Sequence, residues 1–307
     1  MPSRGFEGHI TKGVGGFYTV STAAGTVVCR PRGRFRQDGL KPLPGDRVLG
    51  IELPDGSGRI EDILPRTNVF TRPPVANIGV LAVVVSQAIP KSDPFLIDRI
   101  TAVAAFSNVD VVICVNKTDI CPGDTLFNLY SGAGYTTLYL SAETGCGISS
   151  LRSVLAGKIT AFAGNSGVGK SSLINRLKPD LCLPTAPVSA RGGRGRHTTR
   201  HVELLPLGDD TWVADSPGFS QFDLNMVDTI PPLLIGSLFP EIARQTEECR
   251  FAGCLHLDAG GCAIHDAVAR GDIAPSRFDS YRRLVSAALD TKRYETRGIS
   301  GKQARSR

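Results

Sequence analysis

The chain has 307 residues, 41% hydrophobic and 21% charged, with 35 Lys/Arg against 29 Asp/Glu and a net charge of +6. That length suggests two or three domains, and that balance suits a soluble globular protein with a substantial core. No apolar run approaches the ~20 residues of a membrane span and residues 1–16 hold no signal-peptide core, so a cytoplasmic protein without a membrane partner is expected.

The basic charge sits at the two ends: residues 1–50 carry +5, residues 291–307 carry +5, and the stretch between them carries −4. Such ends suit a polyanion such as RNA; solubilising tails explain them equally well. Cys29, Cys114, Cys121, Cys146 and Cys182 are scattered and read as isolated thiols, whereas Cys249, Cys254 and Cys262 cluster.

Residues 5–65 read as five short strands (5–12, 16–22, 25–30, 47–52 and 58–63) divided by Gly, Pro and Asp. Five strands in so few residues predict a small barrel of the OB-fold kind. Arg30, Arg32, Arg34 and Arg36 alternate, placing four guanidiniums on one side if the segment is extended, though Pro31 and Gly33 fit a loop as well. Residues 66–78 read as a linker.

An α/β rhythm comes next. Strands are expected at 79–86, 109–115, 137–140 and 159–163, with helices near 94–106, 125–131 and 148–155. Alternation of this kind predicts a parallel sheet covered by helices on both faces. The strand at 109–115 ends in Asn116-Lys117-Thr118-Asp119. A carboxylate there can accept from N1 and the exocyclic amine of guanine, a donor pair adenine lacks, while Asn116 meets the purine edge and Lys117 covers the ring. The next strand ends in Ser141-Ala142-Glu143-Thr144-Gly145, a loop placed to offer a backbone N–H to guanine O6.

The strand at 159–163 runs into Gly164-Asn165-Ser166-Gly167-Val168-Gly169-Lys170-Ser171-Ser172 and then a helix. This is a P-loop in its proper setting: backbone N–H groups and a helix N-terminus face the phosphates, Lys170 reaches the β- and γ-phosphates, and Ser171 ligates Mg²⁺. The bland alternative is a Gly/Ser-rich turn. Residues 184–200 are rich in Gly, Arg and Thr and occupy the switch I position, with Thr199 expected on Mg²⁺ and the γ-phosphate. Strands at 202–207 and 211–214 lead to Asp215-Ser216-Pro217-Gly218-Phe219, where Asp215 suits the Mg²⁺ side and the Gly218 N–H suits the γ-phosphate. Phe219 stands where a water-orienting glutamine is common, and the nearest polar candidate is His197.

Residues 226–248 look helical. Cys249-x4-Cys254-x-His256-x5-Cys262 then offers three thiolates and one imidazole, a closed tetrahedral set for structural Zn²⁺. His265 reads as a surface residue on a helix at 263–270; a further helix packs around Phe278, Tyr281, Leu284, Val285, Ala288 and Leu289, and the tail from Lys292 reads as disordered.

The guanine-reading loops precede the P-loop, whereas an ordinary GTPase begins with it, so the order is that of a circularly permuted sheet. Barrel, permuted GTPase and Cys/His module together resemble the small ribosomal subunit biogenesis GTPase family, over roughly residues 5–290. The resemblance matches the family's catalytic histidine before a Thr-Thr pair to His197-Thr198-Thr199, its hydrophobic residue after Asp-x-Pro-Gly to Phe219, and its zinc ligands to Cys249, Cys254, His256 and Cys262. It implies an OB-fold RNA-binding barrel (1–65), a circularly permuted α/β P-loop GTPase (66–228), a helical zinc module (229–291) and a basic disordered tail (292–307). It further implies a monomer that binds the small ribosomal subunit and its rRNA late in assembly and hydrolyses GTP when the subunit stimulates it, with Lys170, His197 and Thr199 at the chemistry. The alternative is an RNA-binding, GTP-sensing switch without significant turnover.

Overall fold

The computed structural model describes residues 4–33, 35, 39–183, 202–208, 210–215, 229–249, 253–258 and 260–303. Strands β1 (Gly5–Val14), β2 (Phe17–Thr22), β3 (Gly25–Pro31), β4 (Arg47–Glu52) and β5 (Gly58–Ile63) form a closed barrel. Their order is β1-β2-β3-β5-β4 with β4 returning to β1, and only β3 and β5 run parallel. This is the expected OB-type closure, which leaves the barrel no free edge. Period-two alternation turns Ile10, Tyr18, Val20, Cys29, Val48 and Ile60 inward to form its core.

Of the arginine row, Arg30 lies in β3 and Arg32 follows its end. β3 stops at Pro31, and Phe35 N–H donates to the Arg32 carbonyl at 3.2 Å in a turn. The reason is Phe35, whose side chain is buried in the barrel core. Arg34 and Arg36 lie outside the described residues.

Residues 66–78 are not a loose linker. Strands β6 (Val69–Thr71) and β7 (Pro74–Ala76) form a hairpin, and Phe70 and Val75 enter the main core. The Arg66 guanidinium grips the fully buried Asp46 carboxylate through two bonds of 2.6 and 2.7 Å. Gly45 passes so close to the hairpin (φ +93°) that a Cβ there would lie 2.0 Å from the Ala76 carbonyl oxygen. The barrel is therefore fixed to the 66–78 segment by a fork of hydrogen bonds and a backbone contact that admits only glycine.

The next sheet is built from β8 (Val80–Val85), β9 (Asp110–Val115), β10 (Thr136–Tyr139), β11 (Ile159–Ala163), β12 (Glu203–Gly208) and β13 (Thr211–Asp215). Its order is β10-β9-β8-β11-β13-β12, parallel except for β12, which pairs antiparallel with β13. Alternation again sorts the side chains. Leu81, Val83 and Val85 of β8 enter one core and Val80, Ala82 and Val84 the other. Each buried Val or Leu contributes about 1.5–3 kcal/mol. Helix α1 (Pro94–Phe106) belongs to the first core. Helices α3 (Ile148–Leu155) and α4 (Lys170–Leu177) cover the second, while Leu126 and Tyr130 of α2 (Asp124–Ala133) join the first. The strand β12 also pairs with β1, so among the described residues eleven strands form one continuous sheet through the barrel.

The described part of residues 226–248 is helical, as expected, but in short pieces. Among the described residues of that stretch, α5 (Pro232–Ile235) and α6 (Pro240–Ala243) are four-residue pieces separated by a 3₁₀ turn. Pro231, Pro232 and Pro240 remove amide donors and restart the helix each time. Helix α7 (Ala263–Arg270) comes next, and α8 (Pro275–Gln303) carries its backbone well past Lys292, where disorder was expected. The packed first half supplies the nucleus, and the Lys, Arg, Glu and Gln beyond it are good helix formers. Ile264, Tyr281, Leu284 and Val285 share one core with Leu81, Ile97 and Ile113 of the sheet layer. At its centre lies Arg277, 1% exposed, bonded to Glu241 Oε1 at 2.7 Å and paired with Asp98, with its guanidinium 4.6 Å from the Phe239 ring centroid.

Candidate nucleotide and metal sites

The described nucleotide-binding candidates gather at the C-terminal ends of β9, β11 and β13 and the loop after β10, the edge where parallel sheets bind ligands. The P-loop turns on glycines in the left-handed region. Gly164 has φ +126° and a Cβ there would meet the Val84 carbonyl oxygen at 2.2 Å; Gly169 has φ +102° and a Cβ would meet Asn116 Nδ2 at 2.3 Å. Lys170 arches back over the loop and donates to the Gly164 and Asn165 carbonyls at 2.8 and 2.7 Å. Burial lowers its pKa to about 8. Its ammonium is thus held at the loop whose backbone N–H groups would face an anion. Ser171 and Ser172 occupy the first turn of α4, and Asp215 ends β13, the strand beside β11.

The guanine-reading loops are joined to the P-loop and to each other. Asn116, 2% exposed, donates from Nδ2 to the Val168 carbonyl at 2.8 Å and accepts at Oδ1 from the Ala142 N–H at 3.2 Å. The buried Ser141 hydroxyl donates to Asp119 Oδ1 at 2.5 Å and accepts from the Thr144 N–H. Thr118 Oγ1 donates to the Leu140 carbonyl at 2.9 Å. Lys117 adopts φ +64°, uncommon away from glycine, and anchors its ammonium on the Ile89 carbonyl at 2.9 Å. The carboxylate of Asp119 is thus held in place by a neighbour with its other lone pairs left for a ligand.

The Cys/His set also comes together. The donor atoms of Cys249, Cys254, His256 and Cys262 all lie within 4.8 Å of one another. His256 Nδ1 is 3.5 Å from Cys249 Sγ and 3.3 Å from Cys262 Sγ, and the two sulfurs are 4.0 Å apart. Tetrahedral bonds of about 2.3 Å to sulfur and about 2.0 Å to nitrogen place donors about 3.5–3.8 Å apart, so the set fits zinc with Nδ1 as the nitrogen ligand. His265 is not a plain surface residue: half-buried, it donates from Nε2 to the His256 carbonyl at 3.1 Å and packs edge-on to Phe278. Tyr281 donates to the Leu255 carbonyl at 2.8 Å.

His197 and Thr199, in residues 184–200, and Gly218, in residues 216–228, lie outside the described residues.

Residues 63–225 match the RsgA GTPase family and residues 7–60 match the RsgA N-terminal domain. The small ribosomal subunit biogenesis GTPase RsgA of Moorella thermoacetica is 42% identical over 94% of this chain and 99% of its own. The chain belongs to the RsgA GTPase family. The RsgA protein of Ruminiclostridium cellulolyticum is 40% identical over 98% of both chains. Among solved structures, YjeQ from Thermotoga maritima superimposes with a TM-score of 0.82 at 33% identity, covering 93% of this chain and 99% of that one. YloQ, a circularly permuted GTPase, gives 0.78 at 31% identity over 94% and 96%.

As an RsgA GTPase the chain is a hydrolase, and the order of its sheet is the permuted one: β8, β9 and β10 precede the P-loop strand β11. Three supporting residues of this RsgA GTPase escape a reading of motifs. Arg176, the penultimate residue of α4, donates to the Glu143 carbonyl at 3.3 Å and so braces the guanine loop from the P-loop helix. His265 and Tyr281 brace the Cys/His loop. None belongs to a motif, and their sole signal is a polar group within an apolar helical stripe.

Proposed function

We propose that this protein binds GTP through Asn116, Lys117, Thr118, Asp119, Ser141, Ala142 and residues 164–172, and hydrolyses it while bound to the small ribosomal subunit and its rRNA during late assembly. The observation that carries the reading is identity near 40% over nearly the full length to relatives named small ribosomal subunit biogenesis GTPase. The link from Asn116 to Val168 supports the nucleotide half, because it sets the base-reading and phosphate-reading loops at one fixed separation. We place the protein in the cytoplasm as a monomer; no described helix is long and apolar enough to cross a membrane.

In this reading the chain positions more than it reacts. Asp119 accepts from the guanine edge, the P-loop amides hold the phosphates, and Lys170 moves from its two carbonyls onto the β- and γ-oxygens. Ser171 and Thr199 would hold Mg²⁺ directly and Asp215 through water; the ion supplies charge neutralisation on the phosphate oxygens. The Gly218 N–H steadies the γ-phosphate. His197 holds the attacking water in line, since Phe219 has no polar group for that task. Cys249, Cys254, His256 and Cys262 would hold zinc as a closed structural site, with no open position for catalysis. The barrel and the basic ends contact rRNA phosphates.

The deciding experiment is GTP turnover with purified small subunits, with large subunits and with neither. Stimulation by small subunits alone is expected, and a rate that no subunit changes would overturn the assignment. His197→Ala should remove the stimulated rate while GTP affinity stays within a few-fold; a full loss of binding would show that His197 serves the nucleotide instead.

A further inference from the structure

Three charged residues lie in one transverse row across three strands. Lys12 of β1 is the register partner of Glu203 of β12, and Glu203 is the register partner of Asp215 of β13. Directly opposed residues of antiparallel strands project from the same face with Cβ atoms about 4.5–5.5 Å apart. The row therefore runs from the barrel to the nucleotide edge in roughly 10 Å. Its first step is an ion pair, Lys12 Nζ to Glu203 Oε2 at 2.7 Å, reached through a register shift in β1 between Ile10 and Lys12. The pair Lys12–Glu203 is the registered backbone pairing between barrel and sheet, so the contact is small. A second polar contact of the seam, His9 Nδ1 to Asp210 Oδ1, is longer at 3.7 Å.

Two carboxylates directly opposed in a sheet repel each other. Lys12 offsets the charge of Glu203 from the far side, leaving the row at net −1.

We propose that Glu203 is a positioning residue for the acid Asp215, and that Lys12 of the barrel sets the field in which Asp215 holds Mg²⁺. The inference rests on the reading of Asp215 as the magnesium-side acid. Taking Lys12 away, by substitution or by a polyanion that competes for it on the barrel, leaves the row at −2 and strengthens the pull on the cation. Taking the Glu203 charge away brings the row to zero and weakens that pull. The barrel thereby adjusts the metal requirement of the nucleotide site without touching it.

The test uses the full chain at low ionic strength and measures the Mg²⁺ concentration that half-maximally slows release of a fluorescent GDP. Lys12→Ala should lower that concentration and Glu203→Gln should raise it, each by about two- to five-fold, as expected for one charge at such a distance in a solvent-screened site. The double variant should return to within about twofold of wild type. Shifts in the same direction, no shift, or a double variant worse than either single one would mean that the pair merely holds the strands together, and would overturn the inference. Asp215→Asn serves as the reference. If it leaves the Mg²⁺ dependence unchanged, the reading of Asp215 fails and the inference with it; if it abolishes that dependence while the other variants shift together, the inference alone fails.

Discussion

Asn116 donates to the carbonyl of Val168, 52 positions away along the chain, and thereby fastens the base-reading loop to the phosphate-reading loop. Its other amide atom accepts from Ala142, so one buried side chain connects three loops. Asn116→Ala leaves the Val168 carbonyl and the Ala142 N–H without that partner, at about 1–3 kcal/mol for each buried group. The expected outcome is GTP and GDP affinity reduced about ten- to a hundred-fold with both nucleotides affected alike, read by fluorescent-nucleotide titration. A loss confined to GTP would place the role of Asn116 in the γ-phosphate response instead.

Asp119 receives the Ser141 hydroxyl and has lone pairs to spare for a base edge. Replacing the acceptor pair by a carboxamide in Asp119→Asn should cost GTP at least tenfold in affinity, about 1.4 kcal/mol, and should favour xanthosine triphosphate, which offers an oxygen where guanine has its amine. Competition between the two nucleotides measures the exchange, and an unchanged preference would remove Asp119 from the base.

Burial sets the Lys170 ammonium at a pKa of about 8. The folded-state pKa lies below the lysine value of 10.5, so the neutral form gains ground as pH rises through 8. Phosphate binding requires the charged form, so above that pH binding must take up a proton. GDP affinity should be flat from pH 6 to about 7.5 and then fall by up to tenfold per pH unit, measured by titration at constant ionic strength. Lys170→Arg, charged throughout, should abolish the slope.

The Cys249, Cys254, His256 and Cys262 loop joins the sheet layer through Tyr281 and the shared core. Chelation of zinc should lower the melting temperature and expose residues 249–262 to proteolysis, with nucleotide affinity changed by no more than a few-fold. Equal loss of both would make the loop a support for the nucleotide site as well.

Arg277 is enclosed by Asp98 and Glu241, both buried. Burial drives the Asp98 carboxyl up even against the adjacent guanidinium. Arg277→Ala would strand two carboxylates in an apolar core and should cost about 3–5 kcal/mol in urea unfolding. The triple change Arg277→Met, Asp98→Asn, Glu241→Gln should recover most of that loss, which would show that the penalty comes from uncompensated charge rather than from lost volume.

The parts most legible in the sequence are those in which a few neighbouring residues dictate the chemistry. Gly164 to Ser171 can turn only one way around a phosphate, Asn116 and Asp119 come directly after a buried strand, and three cysteines with one histidine admit few uses. The features that escaped depend on residues far apart in the chain. Phe70 and Val75 look like loop residues until the hairpin meets the sheet, and Arg277 looks like a surface charge until Asp98 and Glu241 arrive from 179 and 36 positions away. Helix over 229–248 was legible from composition, and Pro231, Pro232 and Pro240 mark where it divides into short pieces. The helix beyond Lys292 turns on its nucleus, which composition alone cannot weigh.

Composition and motif order divide the chain into a barrel, a nucleotide unit, a zinc unit and a tail, but its cohesion is distributed otherwise. Arg277 is held by Asp98 and Tyr135 on one side and Glu241 on the other, so the two units share one buried cluster and are expected to melt together. Hydrogen exchange would then find amides of α8 and of β8 opening together, at the free energy of the whole. The seam beside Lys12 rests on one registered pair and its ion pair, so a partner that grips the barrel would pull on that seam and on the Arg66–Asp46 fork rather than on the core.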